Sequence, residues 1–510
     1  MLKSPTEREF DVSRIVSGSS LYIASLVLIL GWAYTATLLP GIGYMGDTVK
    51  FQYLGEILGI PHPTGYPLYL VLNNLFVNVF PFGTLAYKAN LLSSVFAIAA
   101  CVVFFRLLLY LGLGRMGALA LSLSLGLSYV LWTQAIVAEV YTLHLLLMTS
   151  VIYALVRWHS GEERMFYVAT GLYALSFGNH LTSITLLPAF VYITLATNPK
   201  VFIQPRKVFW VSGVVILGAL QYSYLFWRLD NEFFYAELFT GRSFDNLRDF
   251  LTGGNFKESM FAYTGAQLWS ERLPLALTIL TRSFPLIGLA ALGVATGLVE
   301  GTKERAKRGH VVAFVLIYFV SHTYYAMNYN IPDIAVYFIP SIMALAVLAG
   351  LGLSELLQGA DTPRMALLLV VPLGLLFMNY RVVDLSHITA PQGEAAAIID
   401  TVQEDAIISV SGYNRMQYMF YHTLGLKKQR DNLFVTNYGR NGAFLKSYLR
   451  GEAPPEIGEP PLLLAQEGKN PPSGLRVFCW ACAKVQALQE HGFDVRMTGV
   501  AGLYRLELAE

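Results

Sequence analysis

The stretch YPLYLVLNNLFVNVF, residues 66–80, decides how this chain is threaded. Counted as a membrane span it fixes one topology; counted as part of a loop it fixes the opposite one. As a helix it rises only about 22 Å, against the roughly 30 Å of a bilayer core. It also carries three amides, Asn73, Asn74 and Asn78, which hydrocarbon penalises. It therefore reads as a helix that lies along the membrane or re-enters it, within the first loop.

Apolar runs that read as spans lie at 19–39, 90–111, 116–132, 143–157, 165–180, 181–197, 208–228, 275–299, 310–327, 335–357 and 365–380. With the N-terminus inside, these runs place the basic loops at Arg115, Arg157–Arg164, Lys200–Lys207, Lys303–Arg308 and Arg364 on the cytoplasmic side. That is the side the positive-inside bias demands. A further span at 66–80 would turn all of them outward. The opposite, extracytoplasmic side receives Asp47, His62, Glu139, Asn179, His180, the loop 229–274 and Asp333. The polar groups that composition does not explain gather on one face.

Composition agrees with a membrane protein. Of 510 residues, 55% are hydrophobic and 14% charged, where soluble domains carry about 25% charge. A net charge of +2 and scattered basic residues give no nucleic-acid signal. The first 18 residues are polar and of mixed charge, and the run after them is long enough to span, so no cleavable signal peptide is expected. Three cysteines are too few for a disulfide framework, although Cys479-Trp480-Ala481-Cys482 suits a local structural disulfide. No G-x-x-x-x-G-K-[ST] cradle for a nucleotide is present.

From about residue 381 the character changes to charged, Pro- and Gly-rich segments with strand-length apolar runs. Ala406–Val410, Leu433–Thr436, Leu462–Ala465, Arg476–Trp480 and Leu503–Leu508 read as strands. Met416–Leu424, Ala443–Leu449 and Lys484–His491 read as helices between them. The expected fold is mainly α: a polytopic helical membrane domain of about eleven spans, residues 1–380, and a small extracytoplasmic α/β domain, residues 381–510.

Each polar candidate has a chemical and a structural reading. Asp47, after Gly46, can take a proton from a hydroxyl or ligate a divalent metal; it can equally cap a helix over 48–58. His62 sits in the rigid frame His62-Pro63-Thr64-Gly65-Tyr66-Pro67, and can donate to a phosphate oxygen, relay a proton, or simply be solvated. Glu139 is a lone acid between apolar runs, a site residue or a solvated loop charge. Asn179-His180 is a ligand pair or a polar turn. Arg282, inside the apolar run Leu273–Leu298, is placed to meet an anion or to snorkel. Asp333, with Tyr337 one turn later, is a site acid or an N-cap.

Taken in order, Gly46-Asp47, His62-Pro63-Thr64-Gly65-Tyr66-Pro67-Leu68-Tyr69, Ala138-Glu139-Val140-Tyr141, Asn179-His180-Leu181-Thr182 and Pro332-Asp333-Ile334-Ala335-Val336-Tyr337 resemble one family. It is the protein O-mannosyltransferase-like family of the GT-C superfamily of membrane glycosyltransferases. The resemblance implies a polyprenyl-phosphate sugar donor and an essential acid in the first extracytoplasmic loop, matched by Asp47. Glu139 lies where the superfamily often has a second acid, and membrane-lying helices in its first loop agree with the reading of 66–80. One departure is that the better-known members pair Asp with Glu here, whereas Asp47 is followed by Thr48.

The function so implied is transfer of a monosaccharide, mannose by resemblance, to a hydroxyl of a protein Ser/Thr or a glycan, with inversion. Asp47 would act as base. His62, His180 and Arg282 would hold the departing lipid phosphate. Glu139, Asn179, Tyr66, Asp333 and Tyr337 would position substrate, with or without a divalent metal. The alternative classes are a transporter or flippase of a lipid-linked substrate, for which no internal repeat is visible, and a structural membrane adaptor.

Overall fold

The computed structural model describes residues 18–43, 46–229, 243–297, 303–357, 367–402, 405–426, 433–437, 445–452, 474–482 and 484–509. The expected strand Leu462–Ala465, the basic position Arg364 and part of the loop 229–274 lie outside the described residues.

The chain is mainly helical. Among the described residues six helices are long and apolar enough to cross a membrane: Ser20–Thr37, Leu85–Tyr110, Tyr141–His159, Pro205–Arg228, Arg305–Met327 and Ile334–Leu356. Two bent pairs bring the number to eight if each is one span. Arg115–Gly126 meets Tyr129–Ala135 at 68°, and Gly265–Ser283 meets Ile287–Gly297 at 99°. The remaining expected runs form shorter helices, Arg164–Phe177, Leu181–Thr197 and Leu367–Val383. The first two are separated by Asn179-His180, where the His180 side chain accepts the backbone N–H of Thr182 and starts a new helix. Lys207 pairs with Glu163 at 2.9 Å and Arg157 with Glu162, which brings the basic segments 157–164 and 200–207 to one end of the bundle.

The deciding stretch folds as the helix Pro67–Val79, 13 residues long. Its asparagine Nδ2 groups donate to main-chain carbonyls. Asn73 Nδ2 donates to Phe51 O (3.1 Å) and Asn74 Nδ2 to Gly55 O (2.9 Å), carbonyls of the preceding helix Gly46–Ile57. Each of these amide hydrogen bonds contributes about 1 kcal/mol. A Cβ on Gly55 would lie 2.1 Å from Asn73 Oδ1, so the two helices meet at a position only glycine allows. The helix at 67–79 is thus an arm strapped to a loop helix.

The C-terminal segment forms a five-stranded sheet: β1 (Ala406–Val410), β2 (Leu433–Asn437), β3 (Arg476–Trp480), β4 (Phe493–Met497) and β5 (Leu503–Leu508), in the order β2-β1-β3-β5-β4. The first three are parallel, and β5 runs antiparallel to both β3 and β4. One face packs Ile407, Phe434, Val477, Leu488 and Leu506 into a local core. The other face, with Ile408, Val410 and Phe478, joins the core that continues into the membrane helices. Cys479 and Cys482 are disulfide-bonded. After β1 a helix, Tyr413–Phe420, lies against the loop helix: Tyr53 Oη donates to Gln417 Oε1 at 2.7 Å, both buried.

Candidate active site

The loop helix starts at Gly46 and carries Asp47 and Lys50 one turn apart, on the same face. Lys50 is 1% exposed, and a buried ammonium must be paired. Its Nζ lies 2.9 Å from Asp47 Oδ1 and donates to His62 Nδ1 at 3.0 Å. With Nδ1 accepting, the imidazole proton sits on Nε2 and donates to the Tyr66 hydroxyl (3.0 Å), which in turn reaches Pro63 O. Tyr66 adopts a left-handed backbone, φ 45°, unusual for an aromatic residue and held by edge contacts with Phe51 and His62.

Asp47 opens into a recess. About half of its surface is accessible (49%), yet desolvation by the surrounding protein is the largest single influence on its carboxyl. That desolvation, which raises the pKa, is outweighed by His62 and Lys50, so Asp47 is held below its ordinary value. Glu139 is opposite in character. Burial, then the charges of Asp47 and Asp333, push it well above its ordinary value, and the Thr48 hydrogen bond only partly offsets them. Thr48 Oγ1 donates to Glu139 Oε1 at 3.1 Å. Ser93 Oγ accepts the Glu139 backbone N–H, and Asn90 Oδ1 that of Ala138, which fixes the turn. Asp333 faces the same field: burial first, then Asp47, raise it. The helix after it receives no cap hydrogen bond from its side chain.

His180 stands within an aromatic cage, its ring 5.8 Å from Tyr66, 5.7 Å from Tyr141, 5.4 Å from His144 and 5.7 Å from Tyr337. The Thr182 backbone N–H donates to Nδ1, which leaves the proton of the neutral ring on Nε2. Nε2 is buried with no hydrogen-bond partner. Burial, with His322 and His62 adding, lowers this ring to about 3. His180 is therefore a neutral donor. Asn179 is buried beside it and gives its amide to Val140 O, next to Glu139.

The fold brings Asp47, His62, Tyr66, Glu139, Asn179, His180, Asp333 and Tyr337 into one cluster. Arg282 is not among them. It is exposed on the last turn of the helix Leu273–Ser283, just before the 99° bend. A cation there is favoured by the helix dipole without any anionic ligand. The arginine that does reach this region is Arg272, ten residues earlier. It is 9% exposed, stacks at 4.4 Å over Tyr263, and donates to Met327 O and Tyr329 O. His62 also differs from its expected role, because both ring nitrogens are engaged by Lys50 and Tyr66. Lys50 itself went unread, although the Asp-x-x-Lys spacing on a helix was the available signal.

An apolar groove of about 690 Å³ runs between the helices 164–177, 187–197 and 205–220. Leu181, Tyr222 and Leu251 line one part of it, adjacent in sequence to His180 and to Phe250, which packs on Gly65. Lys207, Val201 and Phe202 line another. Among the described residues no three His, Cys, Asp or Glu side chains are gathered to hold a metal. Asp47 is held by Lys50 and Glu139 by Thr48, so this arrangement does not fit one.

Comparison with known proteins agrees with the motifs. Residues 47–202 match the family model for the protein O-mannosyl-transferase TMEM260 N-terminal domain. The mouse (Mus musculus) protein O-mannosyl-transferase TMEM260 is 26% identical over 449 residues, covering 80% of this chain and 61% of its own length. This chain thus spans about three fifths of that relative. Two crystal structures of ArnT from Cupriavidus metallidurans share the fold at 11% identity. The one bound to undecaprenyl phosphate has a TM-score of 0.59 over 97% of this chain and 98% of that one. The apo form has 0.54 over 96% and 98%. The chain is similar to the protein O-mannosyltransferase-like proteins, with a GT-C-like membrane fold.

Proposed function

We propose that this chain is an integral-membrane glycosyltransferase that moves a monosaccharide, mannose by likeness to the mouse relative, from a polyprenyl-phosphate donor to a protein Ser/Thr hydroxyl. The observation that carries the reading is the half-open Asp47 carboxylate, held below its ordinary pKa and ion-paired with a buried lysine. The lipid tail lies in the apolar groove and the sugar in the recess. The acceptor hydroxyl attacks the anomeric carbon while Asp47 takes its proton; the bond from that carbon to the phosphate oxygen breaks, and the configuration inverts. Negative charge gathers on the departing polyprenyl phosphate. The Lys50 ammonium and the Nε2–H of His180 are the donors best placed to offset it. Glu139, Asn179, Tyr66, Asp333 and Tyr337 shape the sugar pocket.

In this reading the three shorter helices and both bent pairs also cross, giving eleven spans. The recess then faces the extracytoplasmic side, under a separate domain from residue 381 onward. The test is the full chain in nanodiscs, with radiolabelled polyprenyl-phosphate mannose and a Ser/Thr peptide. Label should enter the peptide with an inverted anomeric centre. Lipid crossing the bilayer with no sugar transferred to peptide or glycan would replace this reading by a transporter.

A further inference from the structure

The exposed run Gly412–Arg415 follows β1 at the carboxyl edge of the sheet. Beside it, β3 ends at Trp480, and Ser411 N donates to Trp480 O. The chain leaves β1 toward β2 on one side and returns as β3 on the other, so this edge is a topological switch point, where open α/β sheets present ligand crevices. Tyr413 is 39% exposed on this run, and its ring lies 5.3 Å from Lys50 Nζ. Lys50 in turn holds Asp47. Arg415 is exposed two residues on, its guanidinium 5.9 Å from the Trp480 ring.

The mount is rigid. Gln417 accepts from Tyr53 of the loop helix, and Tyr421 Oη accepts the Ala86 backbone N–H at 3.2 Å. Tyr413 is therefore held over the Asp47–Lys50 pair by buried contacts. Tyr413 is thus an exposed aromatic ring beside the lysine that holds Asp47. An aromatic face next to a guanidinium suits a polypeptide: the ring packs on side chains and the cation meets backbone carbonyls or an acidic residue.

We propose that Tyr413 is a specificity-determining residue of the acceptor subsite, packing against the polypeptide segment that presents its Ser/Thr hydroxyl to Asp47. This rests on the glycosyl-transfer reading above. Tyr413→Ala is expected to raise the KM for a Ser/Thr peptide about tenfold, as loss of one aromatic contact does, with the donor KM unchanged. Tyr413→Phe, which keeps the ring, should stay near wild type, as should Met497→Ala on the exposed far strand β4. An unchanged peptide KM in Tyr413→Ala, or a donor KM that rises equally, overturns the proposal. A capture arm separates its failure from failure of the transfer reading. In the full chain, Tyr413→benzoylphenylalanine should photocrosslink the radiolabelled peptide whether or not sugar moves, and Met497→benzoylphenylalanine should not. Equal capture at both positions, or none at 413, rejects the subsite. Capture at 413 without transfer by wild type rejects the reaction instead.

Discussion

Thr48 gives its hydroxyl to Glu139 across 91 positions of sequence, 3.1 Å oxygen to oxygen, in a place with almost no solvent. The residue that departs from the family's paired acids is thus the one that holds the second acid of the recess. Removing the donor by Thr48→Val leaves a buried carboxyl without this partner. The expected loss is about 1–3 kcal/mol of stability, read as a lower Tm of the purified protein.

Glu139 should make stability depend on pH in a definite direction. Its folded pKa is raised, so its favourable contribution is complete below the ordinary glutamate range and is lost as pH rises through the raised value. Glu139→Gln keeps the acceptor oxygen for Thr48 and removes the charge. It should therefore raise Tm at neutral and alkaline pH, with a gain that vanishes below about pH 4. A constant difference across pH counts against this account.

Asp47 and Lys50 should separate in a pH–rate profile. Asp47→Asn, still folded and donor-binding, should slow transfer about 10²- to 10⁴-fold, the range of a general base. A near-wild-type rate removes Asp47 from that role. Lys50→Met should instead leave the base in place with a higher pKa, because the ammonium that depresses it is gone. The acidic limb of kcat/KM should then move to higher pH.

The bent pair Gly265–Gly297 decides the topology. If it crosses, Lys257 and Arg305 lie on opposite sides; if it re-enters, they share one. Lys257→Cys and Arg305→Cys can be labelled with an impermeant maleimide in sealed vesicles of known orientation. Eleven spans require opposite reactivity.

Gly55→Ala tests the strap between loop helix and arm. Its Cβ would fall 2.1 Å from Asn73 Oδ1 and must push the arm away. Transfer and Tm should fall together, because the arm is the continuation of the His62–Tyr66 frame.

Much of this site was legible because its acids stand where apolar runs end, and an acid at such a boundary is visible in one dimension. Asp47, Glu139 and Asp333 were found that way, and the structure gathers them. Side-chain direction at a helix end is not visible so. Arg272 precedes the apolar run that contains Arg282, but only the coordinates show that Arg272 turns back onto Tyr329 while Arg282 faces out. Lys50 was hidden by composition, since a lysine in a polar loop reads as solvated until a partner from another segment covers it. In the sheet, β4 was missed because Phe493 is its only fully buried residue. Six helices, or eight with the bent pairs, reach spanning length among the described residues, because the breaks after Gly126 and Ser283 and at Asn179-His180 shorten the others.

Lys50 is enclosed by three pieces of chain made at different times: its own helix, the His62 turn, and Tyr413, about a hundred residues before the end. Synthesis delivers the first two early. Until residue 413 has emerged and settled, the ammonium lacks the ring beside it. A chain still short of residue 413 therefore carries Asp47, Glu139 and Asp333 without the tyrosine that closes over Lys50.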